Sequence, residues 1–369
     1  MIKYLSNAPK QALRGTALLR LDFNTEDEWR MQAALPTLRL LLRSADKIII
    51  VSHKGRPLAG KPVGRKAKFS LRKNGADLSR SLKWRVIFIP HFRFAEIKKQ
   101  VLAAPKGSVF LLENIRFLPG ETSRSPELAE ILAGLADYYV NDAFAVSHRS
   151  DASVARVEKF LPSYAGLELE KEIKSLSHLR GRPRRPLVIV LGGAKVSDKL
   201  GIVTEFLKKA DYFLIGGAAA NTLLAMKGER VGASLRERDP RVLQGLRKLL
   251  RNPKVVLPID VHRERNVIYD IGPRTAVKFA GILKKARTVF WSGPMGLFEK
   301  KKFAQGSLAV ARAIAANRRA FSVTGGGETV RFLKQHRLDK KFSFISTGGS
   351  AMLDFLAGEE LPGIAALST

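Results

Sequence analysis

The 369-residue chain contains no cysteine. Disulfides, thiolate metal centres and cysteine nucleophiles are therefore excluded, and the redox compartment leaves no trace in the composition. No apolar run approaches the ~20 residues that span a bilayer, and the opening MIKYLSNAPK lacks the apolar core of a secretory signal. A soluble cytoplasmic protein without a membrane partner is expected. No histidine pair has a zinc-ligand spacing, so any metal should be a hard ion held by oxygen. Acids are also scarce: 33 Asp and Glu stand against 65 Lys and Arg, a net charge of +32. Residues 54–85 hold eleven Lys or Arg and one acid, Asp77, and a second cluster, RGRPRRP, covers residues 180–186. Such a balance suits either a solvated basic surface or the binding of polyanions, whether phosphorylated substrates or nucleic acid. No RNP aromatic motif or zinc finger accompanies it.

What is present is a regular succession of short apolar runs. LLRLDF, KIIIVS, RVIFIP, SVFLLENI, YYVNDAF, PLVIVLGG, YFLIGG, KVVLPIDV, TVFWSG, FSVTGG and FSFIST each precede a segment of helical spacing, as over residues 32–42 and 308–315. Near-continuous apolar runs bounded by Gly or Ser are the pattern of buried parallel strands. Strand–helix alternation predicts an α/β protein. Eleven runs exceed one compact sheet, and the length predicts two domains. The break falls at Leu161-Pro162, before a predicted helix, GLELEKEIKSLSHL, and the basic turn.

Ligands of open α/β sheets bind at the carboxyl ends of the strands. Polar and glycine-rich residues cluster there: Asp22 and Asn24, His53 and Arg56, Arg116, His148 and Arg149, Lys195 and Lys199, Glu299, and residues 325–329. The first half supplies arginines, whose planar forks match carboxylate and phosphate. One arginine at a strand end commonly belongs to a surface salt bridge; three, with His53 and a DFN turn, point to a small polyanion. The second half supplies glycine-led helix starts (GGAAANTLL, GGGETVRFL, STGGSAML) and the run LGGAKVSDK, which sets Lys195 and Lys199 four residues apart, one turn if helical. Helix N-termini favour anions, and several such turns in one domain point to a nucleotide. Neither a P-loop nor a clear G-x-G-x-x-G with a trailing acid is present. A carboxylate, Glu328, follows the three glycines and would repel phosphate unless a cation lay between them. Together the halves suggest phosphoryl transfer.

With these motifs assembled, the chain resembles the phosphoglycerate kinase family over nearly its whole length. The resemblance is carried by RLDFN (20–24), RMQAALPTL (30–38), SHKGRP (52–57), LLENIRF (111–117), YVNDAFAVSHR (139–149) and LGGAKVSDK (191–199), then DIGPRT (270–275), WSGPMGLFE (291–299), GGGET, STGGSA and the tail ELPGIAAL. It implies two doubly wound, Rossmann-like parallel-sheet domains: residues 1–165 for phosphoglycerate, 166–185 as hinge helix and linker, 186–352 for nucleotide, and the tail 353–369 packing back on the first. It implies a monomeric, magnesium-dependent glycolytic kinase with a carboxyl group as acceptor. The reaction would transfer a phosphoryl group between 1,3-bisphosphoglycerate and ADP after domain closure. By matching position, Asp22, Phe23, Asn24, Arg30, His53, Lys54, Gly55, Arg56, Arg116 and Arg149 would hold phosphoglycerate. Gly193, Lys195, Lys199, Gly217, Glu299, Gly326, Gly327, Glu328 and Thr329 would hold the nucleotide, with Glu299 on the ribose and Glu328 serving the metal. Arg30 and Lys195, with the helix starts at Gly326 and Gly349, would stabilise the transferring group.

The chain departs from that family's pattern in places. Glu328 stands where aspartate is usual, Ser292 where asparagine is, Asp151 replaces a histidine, Ala145 a glycine and Lys54 an apolar residue, and the loop between Asn24 and Arg30 is short. The alternative is a basic nucleic-acid-binding protein on a kinase scaffold with weakened chemistry.

Overall fold

The computed structural model describes residues 1–25, 28–57 and 68–368, and divides into two compact units, Met1–Ile173 with Glu360–Thr369, and Lys174–Glu359. Each is built on a six-stranded parallel sheet flanked by helices, an α/β architecture.

The first sheet contains β1 (Thr16–Arg20), β2 (Lys47–Val51), β3 (Val86–Ile89), β4 (Ser108–Leu112), β5 (Tyr138–Asn141) and β6 (Ser163–Ala165), in the order β3-β4-β2-β1-β5-β6. Its central runs are apolar on both faces because helices cover both. Leu18 pairs with Ile49 and Leu19 with Ile50, all within 1% of full burial. The helix Leu35–Ser44 buries Leu35, Leu38 and Leu41 on one stripe against this core. The pattern over residues 32–42 is split between Glu28–Ala33 and Leu35–Ser44. Pro36 explains the break: its missing N–H is harmless in a first helical turn but would interrupt a continuous helix.

The second sheet contains β7 (Leu187–Leu191), β8 (Tyr212–Ile215), β9 (Val255–Val256), β12 (Thr288–Ser292), β13 (Phe321–Gly325) and β14 (Phe344–Ile345), in the order β14-β13-β12-β7-β8-β9; β10 (Val261–Glu264) and β11 (Val267–Ile271) form a separate antiparallel pair. Val188, Val190, Val289 and Trp291 meet Phe279, Leu283, Phe332 and Leu333 in its core. Each of the eleven predicted runs contains a strand. The sequence did not mark β6, only three residues long, nor β10–β11, where the segment VHRE is too polar to read as a run. KVVLPIDV yields only two ladder residues before Pro258, which has no N–H to donate.

The helix Leu167–Arg180 begins in the first unit and ends in the second. The Asp142 carboxylate caps its start, accepting the N–H groups of Glu168 (2.9 Å) and Leu169 (3.0 Å). Burial pushes that carboxyl up to about 6. The C-terminal segment lies in the first unit, where Gly363 N–H donates to the Ser147 carbonyl at 2.8 Å and Ser368 bridges Ile2.

Candidate active site

In the first unit the polar residues converge at the carboxyl ends of β1, β2, β4 and β5. Asp22 and Asn24 follow β1; Asn24 Oδ1 accepts the Gly55 N–H at 2.7 Å, and Phe23 N–H donates to Ser52 Oγ at 2.9 Å. Asn114 fastens the loop after β2, accepting from Lys54 N–H (3.2 Å) and donating to the Lys54 carbonyl (2.7 Å). Gly55 has φ +62°, and a Cβ there would lie 2.3 Å from the Phe69 ring. Phe23 is buried, so its side chain serves the core and only its backbone borders the turn. Ser52 and Asn114, which position this loop, were not singled out in the sequence because both lie inside motifs whose charged residues drew the reading.

His53 is completely enclosed. Arg20 Nη2 lies 3.2 Å from its Nδ1, and Asp22 Oδ1 at 3.7 Å. Arginine can only donate, so Nδ1 accepts and the proton of the neutral ring sits on Nε2. Burial, reinforced by Arg20, Arg116 and Arg149, holds the imidazole pKa well below its ordinary 6.5. Arg20 itself is fixed by Ser153 (2.8 Å), the Leu21 carbonyl and the nearby Glu121 carboxylate. A histidine whose folded pKa is depressed stabilises fully above the unfolded value and loses that contribution as pH falls through it. Wild-type Tm should therefore fall more steeply than that of His53→Asn between about pH 7 and about pH 5. Parallel melting curves would contradict a buried neutral His53.

Buried nitrogens of the first unit without a hydrogen-bond partner include Arg30 Nε, His53 Nε2, Arg116 Nε and Arg149 Nε. Arg56 is exposed, and Arg149 is pushed down first by burial and then by Arg116, against the opposing pull of Asp151. Arginines close enough to depress one another's pKa suit an incoming anion. One is partly neutralised already: Arg116 Nη2 donates to Asp151 Oδ2 at 3.1 Å, with the pair almost wholly buried, and Nη1 donates to the Gly55 carbonyl. Asp151 is the residue that departs from the expected histidine, so an incoming ligand must share Arg116 with a resident carboxylate. Lys61, Arg65 and Lys66 of the basic patch lie outside the described residues, and Lys68 is exposed.

In the second unit, the crevice lies where the strand order reverses, between β7 and β12. Glycine turns follow both strands and press together. Gly193 N–H donates to the Pro294 carbonyl at 2.7 Å, and a Cβ on Gly192 would lie 2.2 Å from that oxygen. Gly217, φ +55°, opens the helix Gly217–Met226, and a Cβ there would sit 2.6 Å from the Gly193 carbonyl. Beside these turns is a cleft of ≈ 250 Å³ bordered by Gly193, Gly217, Glu299 and Glu328. Its apolar walls come from Leu235, Val261, Val267, Met295 and Phe298. The hairpin contributions were invisible in sequence, since the residues acquire a wall only by folding beside the glycine turns.

Glu328 lies in the first turn of the helix Gly327–Gln335, which Gly326 (φ +91°) opens without any side-chain cap. The helix Ser350–Ala357 likewise opens at Gly349 (φ +52°) uncapped. Both leave N-terminal amides without a side-chain acceptor. A Cβ on Gly193 would lie 3.6 Å from Glu328 Oε2 and 3.8 Å from Lys199 Nζ, so acid, base and glycine turn meet. Lys199 and Lys195 do not share a helical face. Lys195 is exposed in a turn, whereas Lys199 is buried and its Nζ donates back to the Lys195 carbonyl at 2.7 Å. A 3-10 turn, Ser197–Lys199, replaces the expected α-helical turn and redirects the side chain. Burial lowers the Lys199 pKa, opposed by Asp198 and Glu328. Thr329 is buried and its Oγ1 accepts the Gly293 N–H at 2.8 Å, bracing the turn from behind. Glu299 pairs with Arg331 at 2.9 Å, both half exposed.

The sequence profile of the phosphoglycerate kinase family matches residues 13–359. A phosphoglycerate kinase of Thermus thermophilus is 42% identical over 387 residues, covering 95% of this chain and 96% of its own. That of Pseudothermotoga lettingae is 40% identical over 384 residues, covering 95% of each. Among solved structures, phosphoglycerate kinase from Coxiella burnetii superposes with a TM-score of 0.87 at 33% identity, covering 100% of this chain and 99% of that one. The Pyrococcus horikoshii enzyme gives 0.85 at 32% identity, covering 100% and 98%. The chain belongs to the phosphoglycerate kinase family.

Proposed function

We propose that this chain transfers a phosphoryl group reversibly between 1,3-bisphosphoglycerate and ADP, with the first unit holding the glycerate and the second the nucleotide. The observation that carries the division of labour is a pair of complementary deficits. The first unit buries guanidinium and imidazole nitrogens without acceptors. The second leaves two helix starts uncapped, and the one at Gly326 borders a glycine-lined cleft. The glycerate's carboxylate and phosphate would supply acceptors to Arg56, Arg149, Arg116 and the Nε2–H of His53, with Asp22 and Asn24 fixing the turn beside them. The nucleotide would lie along Gly193 and Gly217, its base against the apolar walls and its ribose near Glu299. Its phosphates would meet Lys195, Lys199 and the amides following Gly326 and Gly349. Arg30 and Lys195 would neutralise charge on the transferring group, since phosphoryl transfer depends on positioning and electrostatics more than on covalent chemistry. Groups held by separate units must then be brought together, and water excluded, for each turnover.

Among the described residues, no three His, Cys, Asp or Glu side chains are placed to hold a metal ion. A single carboxylate nevertheless suits magnesium, which keeps waters and takes other ligands from phosphate. Glu328, beside Lys199 and Gly193, would hold it. The ion would neutralise phosphate charge.

Substitution of the arginines tests the assignment. Arg56→Ala and Arg149→Ala should each raise KM for 3-phosphoglycerate by about tenfold to a hundredfold, the loss of one charge-assisted hydrogen bond, with KM for ATP nearly constant. Arg116→Ala should have the smaller effect, because Asp151 already shares that guanidinium. Equal rises in both KM values would overturn the division between units.

A further inference from the structure

The glycine turns occupy the carboxyl edge of the second sheet; its opposite edge carries charge. Parallel register places the approaches to β14, β13, β12 and β7 side by side: Phe344 pairs with Val323, Phe321 with Thr288, and Thr288 with Leu187. Lys340 and Lys341 precede β14, and Arg318 and Arg319 precede β13. Lys284, Lys285 and Arg287 precede β12, and Arg182, Arg184 and Arg185 precede β7. All ten are exposed. With strands about 4.8 Å apart, three spacings put them along an edge of only about 15 Å.

Three observations separate this edge from an ordinary solvated surface. Acids are nearly missing: Asp339 is the one acid in residues 182–186, 284–287, 317–320 and 339–343. Among the described residues only Arg185 of the ten is ion-paired, to Asp211 of the neighbouring approach at 2.9 Å. Secondly, helices ending at Lys285 and Ala316 bring carbonyl ends to this edge, but each attracts about one cation, and ten exceed that need. Thirdly, a cleft of ≈ 300 Å³ opens on the edge, lined by Arg318, Lys340, Lys341, Asn317 and Ser343 and by no acid. Its basic, acid-free lining suits a phosphate. The amino edge of the first sheet is less dense in cations: Arg14, Lys83, Arg85 and Lys106 stand there with Asp46 and Asp137, and Lys106 pairs with Asp46 at 2.9 Å.

From this juxtaposition we propose that the amino edge of the second sheet is a docking surface for the phosphate backbone of duplex nucleic acid, separate from the kinase site. A closely spaced row of cations suits a polymer bearing one charge per about 1.7 Å of axis. The surface lacks what single strands require, because Tyr212 is the one exposed large aromatic at the strand starts, so bases have no stacking platform. It equally lacks the apolar face with which an amphipathic element enters a lipid interface. Recognition is therefore independent of sequence and falls steeply with salt.

The test measures binding of a fluorescent 30-base-pair duplex across a salt series. It compares wild type with the quadruple variant Arg318→Gln, Arg319→Gln, Lys340→Gln, Lys341→Gln. A second quadruple, Arg85→Gln, Lys98→Gln, Lys99→Gln, Lys159→Gln, removes the same net charge from exposed sites on the first unit. The edge variant should bind at least about tenfold more weakly near 0.15 M salt, with a log–log salt slope shallower by up to about four. The control quadruple should stay within about threefold of wild type, and phosphoglycerate kinase turnover should be unchanged in all three proteins. Equal weakening by both quadruples would show that net charge alone attracts the duplex and would overturn the proposal. So would a wild type that ignores the duplex at physiological salt, or one that binds anionic phosphatidylserine vesicles through this edge in preference to it. Kinase turnover is read separately, so failure of this proposal leaves the catalytic assignment standing, and the reverse.

Discussion

Arg30→Ala is expected to lower kcat by about 10²–10³-fold, the loss that follows removal of one preorganised donor from a developing charge. Its Nε is buried and unpartnered, and the residue stands on a short helix, Glu28–Ala33, with its guanidinium 5.7 Å from the Trp29 ring. A cation held in that way costs free energy until an anion arrives, so the site is prepared for charge before substrate binds. If the charge it meets is greatest in the transition state, kcat and kcat/KM fall together while KM for 3-phosphoglycerate changes little. Steady-state kinetics with both substrates varied provides the check. A large rise in KM at constant kcat would assign Arg30 to substrate holding.

The second large effect is expected at Glu328. Glu328→Gln keeps size and helix position but removes the charge that faces Lys199 and the Gly193 turn. It should weaken productive use of magnesium nucleotide by about a hundredfold and leave phosphoglycerate binding close to wild type. Glu328→Asp should remain active, because a bridging water can span the methylene lost. A carboxylate in the first turn of a helix also stabilises that helix through its dipole, by about 0.3–1 kcal/mol at an exposed position. The two roles are separated by titrating magnesium. A capping residue would change Tm and leave the magnesium dependence alone, whereas near-normal turnover and magnesium dependence in Glu328→Gln would remove the carboxylate from metal service.

Much of this was legible in the sequence, because the site is built from contiguous motifs at strand ends and chain order delivers them there. KIIIV could only be a buried strand, and the SHKGRP that follows could only emerge at its carboxyl end. What the sequence withheld are contacts made across the fold. The Arg116–Asp151 pair joins residues thirty-five positions apart. The neutrality of His53 depends on enclosure and on three arginines from other elements. The spacing of Lys195 and Lys199 suggested a shared helical face, but a 3-10 turn and a backbone carbonyl claimed Lys199 instead. The cleft walls from Val261 and Val267 come from the β10–β11 hairpin, which the sequence did not mark. The charge of +32 was evident at once, yet its concentration on one sheet edge appears only when the strand order is known.

The central claim is that two differently equipped units carry out one transfer. Its most direct measurement is the ATP-dependent phosphorylation of 3-phosphoglycerate by the purified chain, followed by reduction of the 1,3-bisphosphoglycerate in a coupled assay. Magnesium is varied, and folding is verified on the same sample. The account predicts turnover that saturates in both substrates and disappears when magnesium is chelated. A folded protein that binds both substrates and transfers no phosphoryl group would contradict it.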